Sequence, residues 1–305
     1  MKINNTQGLI AKKAISLAVI FLFISFLSCK KEGSEAGTDE EKKEFASVVS
    51  ESEAEADAIF DNSFDNAIGV SDEVGMGGTG VFGFSVEQNI GGEGNRVDSS
   101  TCFIVSYTQA GTNRFPLTVT IDFGTGCTGK DGLTRKGKIV IVYTGRLVNA
   151  GNSASIHFDG YSVDDVQVEG TQTINNTSVI GKRSFTITVA GAKLTWSNGN
   201  FIEWNSEKTI AQTEGLATIF LPLDDVFSLT GQSGGSAKKG DKFFSWGTQI
   251  SEPLVKKFTC RWITKGVIAL KKGNTNVAVL DYGSGNCDNK ASYTVNGVAY
   301  EITLH

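Results

Sequence analysis

The chain has 305 residues, 40% of them hydrophobic, with 36 Gly and only 3 Pro, which excludes a wholly disordered, collagenous or polytopic membrane protein. Two histidines, His157 and His305, exclude most His-based metal sites and most Ser/Cys/His catalysis. The net charge of −5 is local: positions 30–73 hold 14 acidic and 4 basic residues, and the remainder of the mature chain is near balance, so nucleic acid is not an implied partner.

Lys2, Lys12 and Lys13 precede an apolar run from Ile15 to Leu27, 13 residues in all. As a helix that run is roughly 20 Å long, against a hydrocarbon core of about 30 Å, so it is too short to span. A basic start, a short apolar segment and Phe26-Leu27-Ser28-Cys29 at its end describe a secretory signal over residues 1–28, and the last four residues resemble a permissive bacterial lipobox. The expectation is that Cys29 becomes the lipid-modified mature N-terminus and tethers the protein to a membrane. Residues 29–41 read as the acylated cysteine and a flexible acidic tether.

Over 42–70, Phe45, Val48, Val49, Ser52, Ala56, Ile59, Phe60, Phe64, Ala67 and Ile68 recur at three- and four-residue steps, the period of an amphipathic helix. Glu51, Glu53, Glu55, Asp57 and Asp61 fall mostly on the opposite side. The expected arrangement is one side docked on the main domain and the acidic side in solvent.

Residues 71–305 read as one large antiparallel β domain, either a meander or a sandwich, with consecutive hairpins favouring the meander. About 14 short runs rich in Val, Ile, Thr, Phe and Tyr alternate with Gly, Asn and Asp turns. Among them are 117–123, 138–146, 154–163, 166–174, 184–189 and 277–282. Asn198-Gly199 and Asn296-Gly297 have the composition of two-residue hairpin turns. The first would set Trp196 opposite Phe201 and send Trp196 and Trp204 to opposite faces. The second would set Val295 opposite Val298 and Tyr293 opposite Tyr300.

Of five cysteines, Cys29 is reserved for lipid, leaving Cys102, Cys127, Cys260 and Cys287. Three connectivities are possible. Similar intervals and a duplicated pattern favour Cys102 with Cys127 and Cys260 with Cys287, each closing a loop worth roughly 3.5 kcal/mol in the chain-entropy view. In each copy a cysteine-bearing strand is followed by a strand ending Asp-aromatic-Gly (DFGTGC, DYGSGNC), a Gly-rich turn onto the second cysteine, and a further hairpin. These paired motifs, with KGKIVIVYTGR after the first and a terminal Asn-Gly hairpin after the second, resemble an uncharacterised family of Bacteroidota-type outer-membrane lipoproteins. The resemblance covers about residues 102–305. It implies a location at the outer membrane or cell surface and no particular activity.

Several motifs have plainer readings. Gly124 to Lys130 fits both GxGxxG and GxxxxGK, but Asp131 stands where Ser or Thr would bind Mg²⁺ and the chain continues as strand, so no nucleotide is expected. A second GxGxxG at 75–80 runs into VFGFSV, another strand. Asp122, Asp131, Asp281 and Asp288 could ligate Ca²⁺, although Asx turns explain them better, and no metal or cofactor is expected. Asp159, Asp164, Asp165, Glu169, Asp224 and Asp225 could in principle form a glycosidase pair, although Asp164-Asp165 falls where a hairpin turn is expected. His157 reads as a strand residue, and Trp246, Trp262 and Tyr161 as core or interface aromatics rather than a carbohydrate platform. No catalytic residue is identified. The expected function is non-catalytic binding of a glycan or protein ligand, or a structural role in the envelope, with a polysaccharide-active enzyme as the alternative.

Overall fold

The structure, a computed structural model, describes residues 38–71, 73–76, 102–218 and 222–304. The signal segment, Cys29, the tether before Thr38, the strand expected after Gly80 and His305 lie outside the described residues.

Helix α1 runs Asp39–Gly69. It begins three residues before the expected boundary because Thr38 and Glu41 form a capping box: the Thr38 hydroxyl accepts from Glu41 N at 3.2 Å and the Glu41 carboxylate accepts from Thr38 N at 2.7 Å. At the other end the chain folds back, with Met76 N donating to Ile68 O at 2.7 Å and Leu147 N donating to Val74 O at 2.5 Å. The first of these satisfies the Ile68 carbonyl, one of those a helix terminus leaves orphaned.

The strands are β1 (Ile104–Gln109), β2 (Leu117–Asp122), β3 (Cys127–Thr128), β4 (Thr134–Tyr143), β5 (Ser153–Val163), β6 (Val166–Asn176), β7 (Ser184–Thr195), β8 (Phe201–Glu214), β9 (Val226–Lys239), β10 (Lys242–Lys257), β11 (Lys265–Lys272), β12 (Thr275–Ser284), β13 (Lys290–Val295) and β14 (Val298–Thr303). All pair antiparallel in one sheet of order β1-β2-β4-β5-β6-β7-β8-β9-β10-β11-β12-β13-β14, with β3 added beside β4. The meander reading holds and the sandwich does not. One turn of 3-10 helix, Pro222–Asp224, interrupts the β8–β9 connection.

The sheet does not receive the helix on one side, as the periodicity suggests; it wraps it. Between Lys42 and Gly69 no helix residue is exposed. Side chains from β4, β5, β6, β7, β8, β9 and β10 all reach it: the Tyr143 hydroxyl donates to Ala67 O at 2.8 Å, Gln172 Nε2 donates to Phe60 O at 3.0 Å, and Phe60 packs on Phe158 and Trp204, Phe64 on Phe185 and Phe227, and Phe45 on Phe244. Two charged residues are drawn in at inward strand positions, Lys208 in the alternating run Ile202, Trp204, Ser206, Lys208, Ile210 of β8, and Lys256 two residues after Leu254 in β10.

Curvature of that degree needs local breaks in the ladder, and β-bulges supply them. Register shifts fall at Glu169/Thr171 in β6 and at Lys265/Val267 in β11, where Gly170 and Gly266 adopt φ of 119° and 114°. A Cβ at Gly170 would lie 2.7 Å from Ala192 Cα, and one at Gly266 would lie 2.5 Å from Pro253 O. Both sites therefore require Gly by conformation and by space.

Two hairpins show how far the turn signals reach. Around Asn296-Gly297, with φ of 51° and 78°, Val295 pairs Val298 and Tyr293 pairs Tyr300, their rings stacked at 5.2 Å. Around Asn198-Gly199 the expectation fails. Ser197 joins the loop, Trp196 N donates to Asn200 O at 3.0 Å, and Thr195 rather than Trp196 pairs Phe201. Asn198 accepts from Asn200 N in an Asx turn and only Gly199 has positive φ, so a three-residue loop forms. That one-residue slip puts Trp196 on the same, helix-facing side as Leu194, Ile202 and Trp204.

Gly266→Ala is expected to cost about 2 kcal/mol or more in urea unfolding, with the larger part from the displaced Pro253 carbonyl, whereas Gly111→Ala, which meets nothing within 4 Å, is expected to be close to neutral.

Candidate functional site

Helix α1 carries two polar rows, and they have different fates. Glu53, Asp57, Asp61 and Asp65 are spaced four apart and so share one side. The sequence places Glu53, Asp57 and Asp61 toward solvent; in the structure all three are buried. The sheet supplies the compensation: Trp204 Nε1 and Trp246 Nε1 donate to Glu53 Oε2 at 3.0 and 2.8 Å, Ser233 Oγ donates to Glu53 Oε1, Lys208 pairs Asp57, and Lys256 Nζ lies 3.0 Å from Asp65 Oδ2. Tyr282, also buried, faces the same row.

The electrostatics of this row are those of confined charge. Burial pushes the Asp57 carboxyl above the ordinary carboxylate range against the pull of Lys208, and raises Asp65 to about 6 against Lys256. Burial would lower Lys208, but the carboxylates of Asp57, Asp61 and Glu53 outweigh it and hold its pKa above the usual lysine value. Burial also raises Asp225 to about 7, where Gln212 Nε2 donates to its Oδ1 at 2.5 Å. Glu53, Asp57 and Asp61 are sealed, Asp65 lies half-buried at the end of the row, and the row holds helix to sheet.

The second row is different. Positions 44, 47, 51, 55, 58, 62 and 65 are half-buried and repeat at three- and four-residue steps, a stripe left uncovered where the sheet does not close over the helix. Three cavities of about 240, 250 and 380 Å³ open along it, and Glu55 lines all of them.

The cavity of about 240 Å³ is lined by Arg135, Arg261, Tyr161 and Trp196, with Glu55, Asn62 and Asp164 also on its wall. Arg135, from β4, is 2% exposed and bidentate to Asp131, at 3.0 Å from Nη1 to Oδ1 and 2.6 Å from Nη2 to Oδ2. That contact, with the Leu133 N–H, holds Asp131 below the usual carboxylate range despite burial. Burial pushes Tyr161 up to about 12, so it stays a neutral phenol. Arg261 precedes β11. Its guanidinium lies 5.5 Å from the Trp262 ring, and its Nε is buried without a hydrogen-bond partner. Burial lowers its pKa, with Asp131, Asp164 and Glu55 opposing and Arg135 adding to the effect.

Both arginines sit beside the disulfides. Cys102–Cys127 and Cys260–Cys287 form as the duplicated pattern suggests, Cys127 is the ladder partner of Arg135, and Cys260 is the chain neighbour of Arg261. Each copy thus contributes one arginine, held next to its staple, to a single cavity. The sequence reading found the cysteines and missed the arginines; the available signal was a cation next to each staple.

The other residues singled out in the sequence are dispersed. Asp122, Asp281 and Asp288 accept from Gly124 N, Gly283 N and Lys290 N at 2.9, 2.8 and 3.0 Å, and Asp131 from Leu133 N at 3.2 Å, all Asx turns. Among the described residues no group of three His, Cys, Asp or Glu could hold a metal ion. Asp164 and Asp165 form the β5–β6 turn with φ of 45° and 64°, and Asp159, Glu169 and Asp224 are exposed, so the carboxylates named for a glycosidase do not converge. His157 is exposed on β5, within 3.2 Å of Ser155 Oγ and 3.3 Å of Thr171 Oγ1. Trp246 and Tyr161 are buried and Trp262 is half-buried, which is no flat platform. The Gly124 to Lys130 segment is a turn leading through β3. Comparison with protein-family models, curated proteins and solved structures returns no match for this chain.

Two consequences of these confined charges are measurable. Lys208→Met is expected to lower unfolding stability by about 3 to 5 kcal/mol by stranding Asp57, and Asp57→Leu added to it is expected to restore most of the loss in a double-mutant cycle. Asp57, Asp65 and Asp225 bind protons more tightly folded than unfolded. The native state therefore holds the extra protons between about pH 4 and 7, and stability falls as pH rises through that window. Urea midpoints are expected to be higher at pH 5 than at pH 8.

Proposed function

We propose that this protein is a lipid-anchored outer-membrane lipoprotein of the Bacteroidota type, held through Cys29, whose folded domain binds a small ligand without transforming it. The observation that carries this reading is the cavity of about 240 Å³ between α1 and the sheet, where two arginines beside two disulfides meet the rings of Tyr161 and Trp196. A site for recognition needs a concave, largely preformed wall with a few fixed polar groups, and stapled turns supply rigidity that free loops lack. The lipid anchor rests on the Lys-rich start, short apolar run and terminal cysteine of residues 1–29, and no described helix is long and apolar enough to cross a membrane. A glycan or a short peptide is the ligand chemistry in view for an envelope location.

The test has two readouts on the full chain. Cys29→Ser is expected to move the protein from the membrane pellet to the soluble fraction. The oxidised protein, screened in detergent against soluble glycans, peptidoglycan fragments and short peptides, is expected to melt about 5 to 10 °C higher with a ligand at 100 times its Kd. Persistence of the serine variant in the pellet would remove the anchor, and a cooperative melt unmoved by every ligand would replace binding with a structural role.

A further inference from the structure

We propose that the end of the domain where α1 terminates makes a second, direct contact with the bilayer, by inserting an apolar patch on two neighbouring loops into the lipid surface. The contact is independent of the cavity and draws on the Cys29 anchor only for its reach.

Eight large apolar side chains are exposed among the described residues, and four of them, Val179, Ile180, Leu216 and Leu223, sit on the β6–β7 turn and the β8–β9 connection. These loops are neighbours. Gln212 N donates to Arg183 O at 3.0 Å, Arg183 Nη1 donates to Gln212 Oε1 at 2.7 Å, and Phe185 and Phe227, at the bases of the two loops, both pack on Phe64 near the end of α1. Single exposed apolar residues need no explanation, whereas a cluster at one end marks a contact surface.

The β6–β7 turn is closed and protruding. Val179 N donates to Lys182 O at 3.0 Å and Lys182 N to Val179 O at 2.9 Å, which leaves Ile180 and Gly181 at a tip beyond the ends of both strands. Ile180 is 105% exposed there, at a position that Gly, Asn, Asp or Pro usually fills, and Val179 and Leu223 are 66% and 59% exposed. A convex apolar tip has no concavity in which to receive a small ligand, and it gains free energy by entering an apolar phase. Charge does not drive that entry: Arg183 is held by Gln212 and attracted by Asp225, and Glu214 and Asp224 are exposed beside the patch.

The bilayer is the occupant because the chain outside the described fold keeps it in reach. From Cys29 to Thr38 is nine residues, at most about 30 Å whatever their conformation, and α1, with 31 residues, is roughly 46 Å long. The loops lie at the far end of α1, so they touch the leaflet that holds the anchor when the helix axis is within about 40° of the surface. An anchored copy thereby meets lipid at a high effective concentration, which a freely diffusing protein partner lacks.

The experiment uses the acylated, oxidised full chain in phosphatidylcholine vesicles. With Cys29 acylated and the other four cysteines paired, Ile180→Cys supplies a single free thiol for an environment-sensitive fluorophore, and Glu169→Cys, exposed on β6, is the control. The label at 180 is expected to shift to the blue and to be quenched about twofold or more by lipids brominated on the upper acyl chain, at a depth typical of interfacial insertion. The label at 169 is expected to show neither change. Molar salt and added anionic lipid are expected to leave the quenching unaltered. In a Leu223→Cys background, Ile180→Asp is expected to keep the melting temperature and to lose the quenching at 223.

Aqueous emission at 180 from protein that floats with the vesicles would overturn the contact and leave the anchor standing. A blue shift beyond the reach of the bilayer quenchers, growing with protein density, would assign the patch to a second copy of the chain and overturn it as well. The anchor is judged separately, by the mass of the N-terminal peptide. If that peptide is unmodified, the Cys29→Ser chain mixed with excess vesicles decides the contact: quenching at 180 supports it, and its absence sinks it.

Discussion

The structure depends on one constraint: a meander of this length has a concave apolar side that must be covered, and a single helix covers it. A sheet cannot leave one face of Ile139, Ile141, Ile156, Phe185, Phe227 and Leu280 in water, and no second sheet exists among the described residues to stack on it. Curling around α1 solves this, with glycine bulges giving the curvature and Phe45, Phe60 and Phe64 filling the axis. The helix is therefore the core of the domain and not an appendage to it.

A helix enclosed on nearly all sides cannot be amphipathic in the usual sense, and this explains the acidic row. With a sheet all around, a polar side has no solvent to face, so either the row is apolar or the sheet provides partners. Here it provides two lysines, two indole donors and a serine. Such pairing adds little net stability over well-packed apolar residues, but it fixes the rotation of the helix about its axis, because turning the row away from Trp204, Trp246, Lys208 and Lys256 would strand its carboxylates.

How much of this the sequence displays depends on the range of the determining interaction. Strands, the Asn296-Gly297 turn, the Asp-aromatic-Gly turns and both disulfides are local or internally repeated, and composition and spacing suffice to read them. The Trp196 loop was misread because Asn-Gly serves both a two-residue turn and a three-residue loop, and Ser197 and the Asx bond decide between them. The burial of Glu53, Asp57 and Asp61 is set by how far the sheet closes, a property of bulges spread over β4 to β11 that no window of sequence contains. Its trace was present all the same: four carboxylates spaced four apart on the helix, and Lys208 at a position whose neighbours two residues away, Ser206 and Ile210, are inward. Arg135 and Arg261 left a fainter trace still, because their meeting is a product of closure.

That closure links the fold to the site. Arg135 belongs to the early strands and Arg261 to the segment before β11, on either side of the long central run β5 to β10. They share a cavity only once that run has rolled around α1, and each is held at a turn cross-linked by its own disulfide. Rolling of the sheet and formation of the cavity are therefore one event.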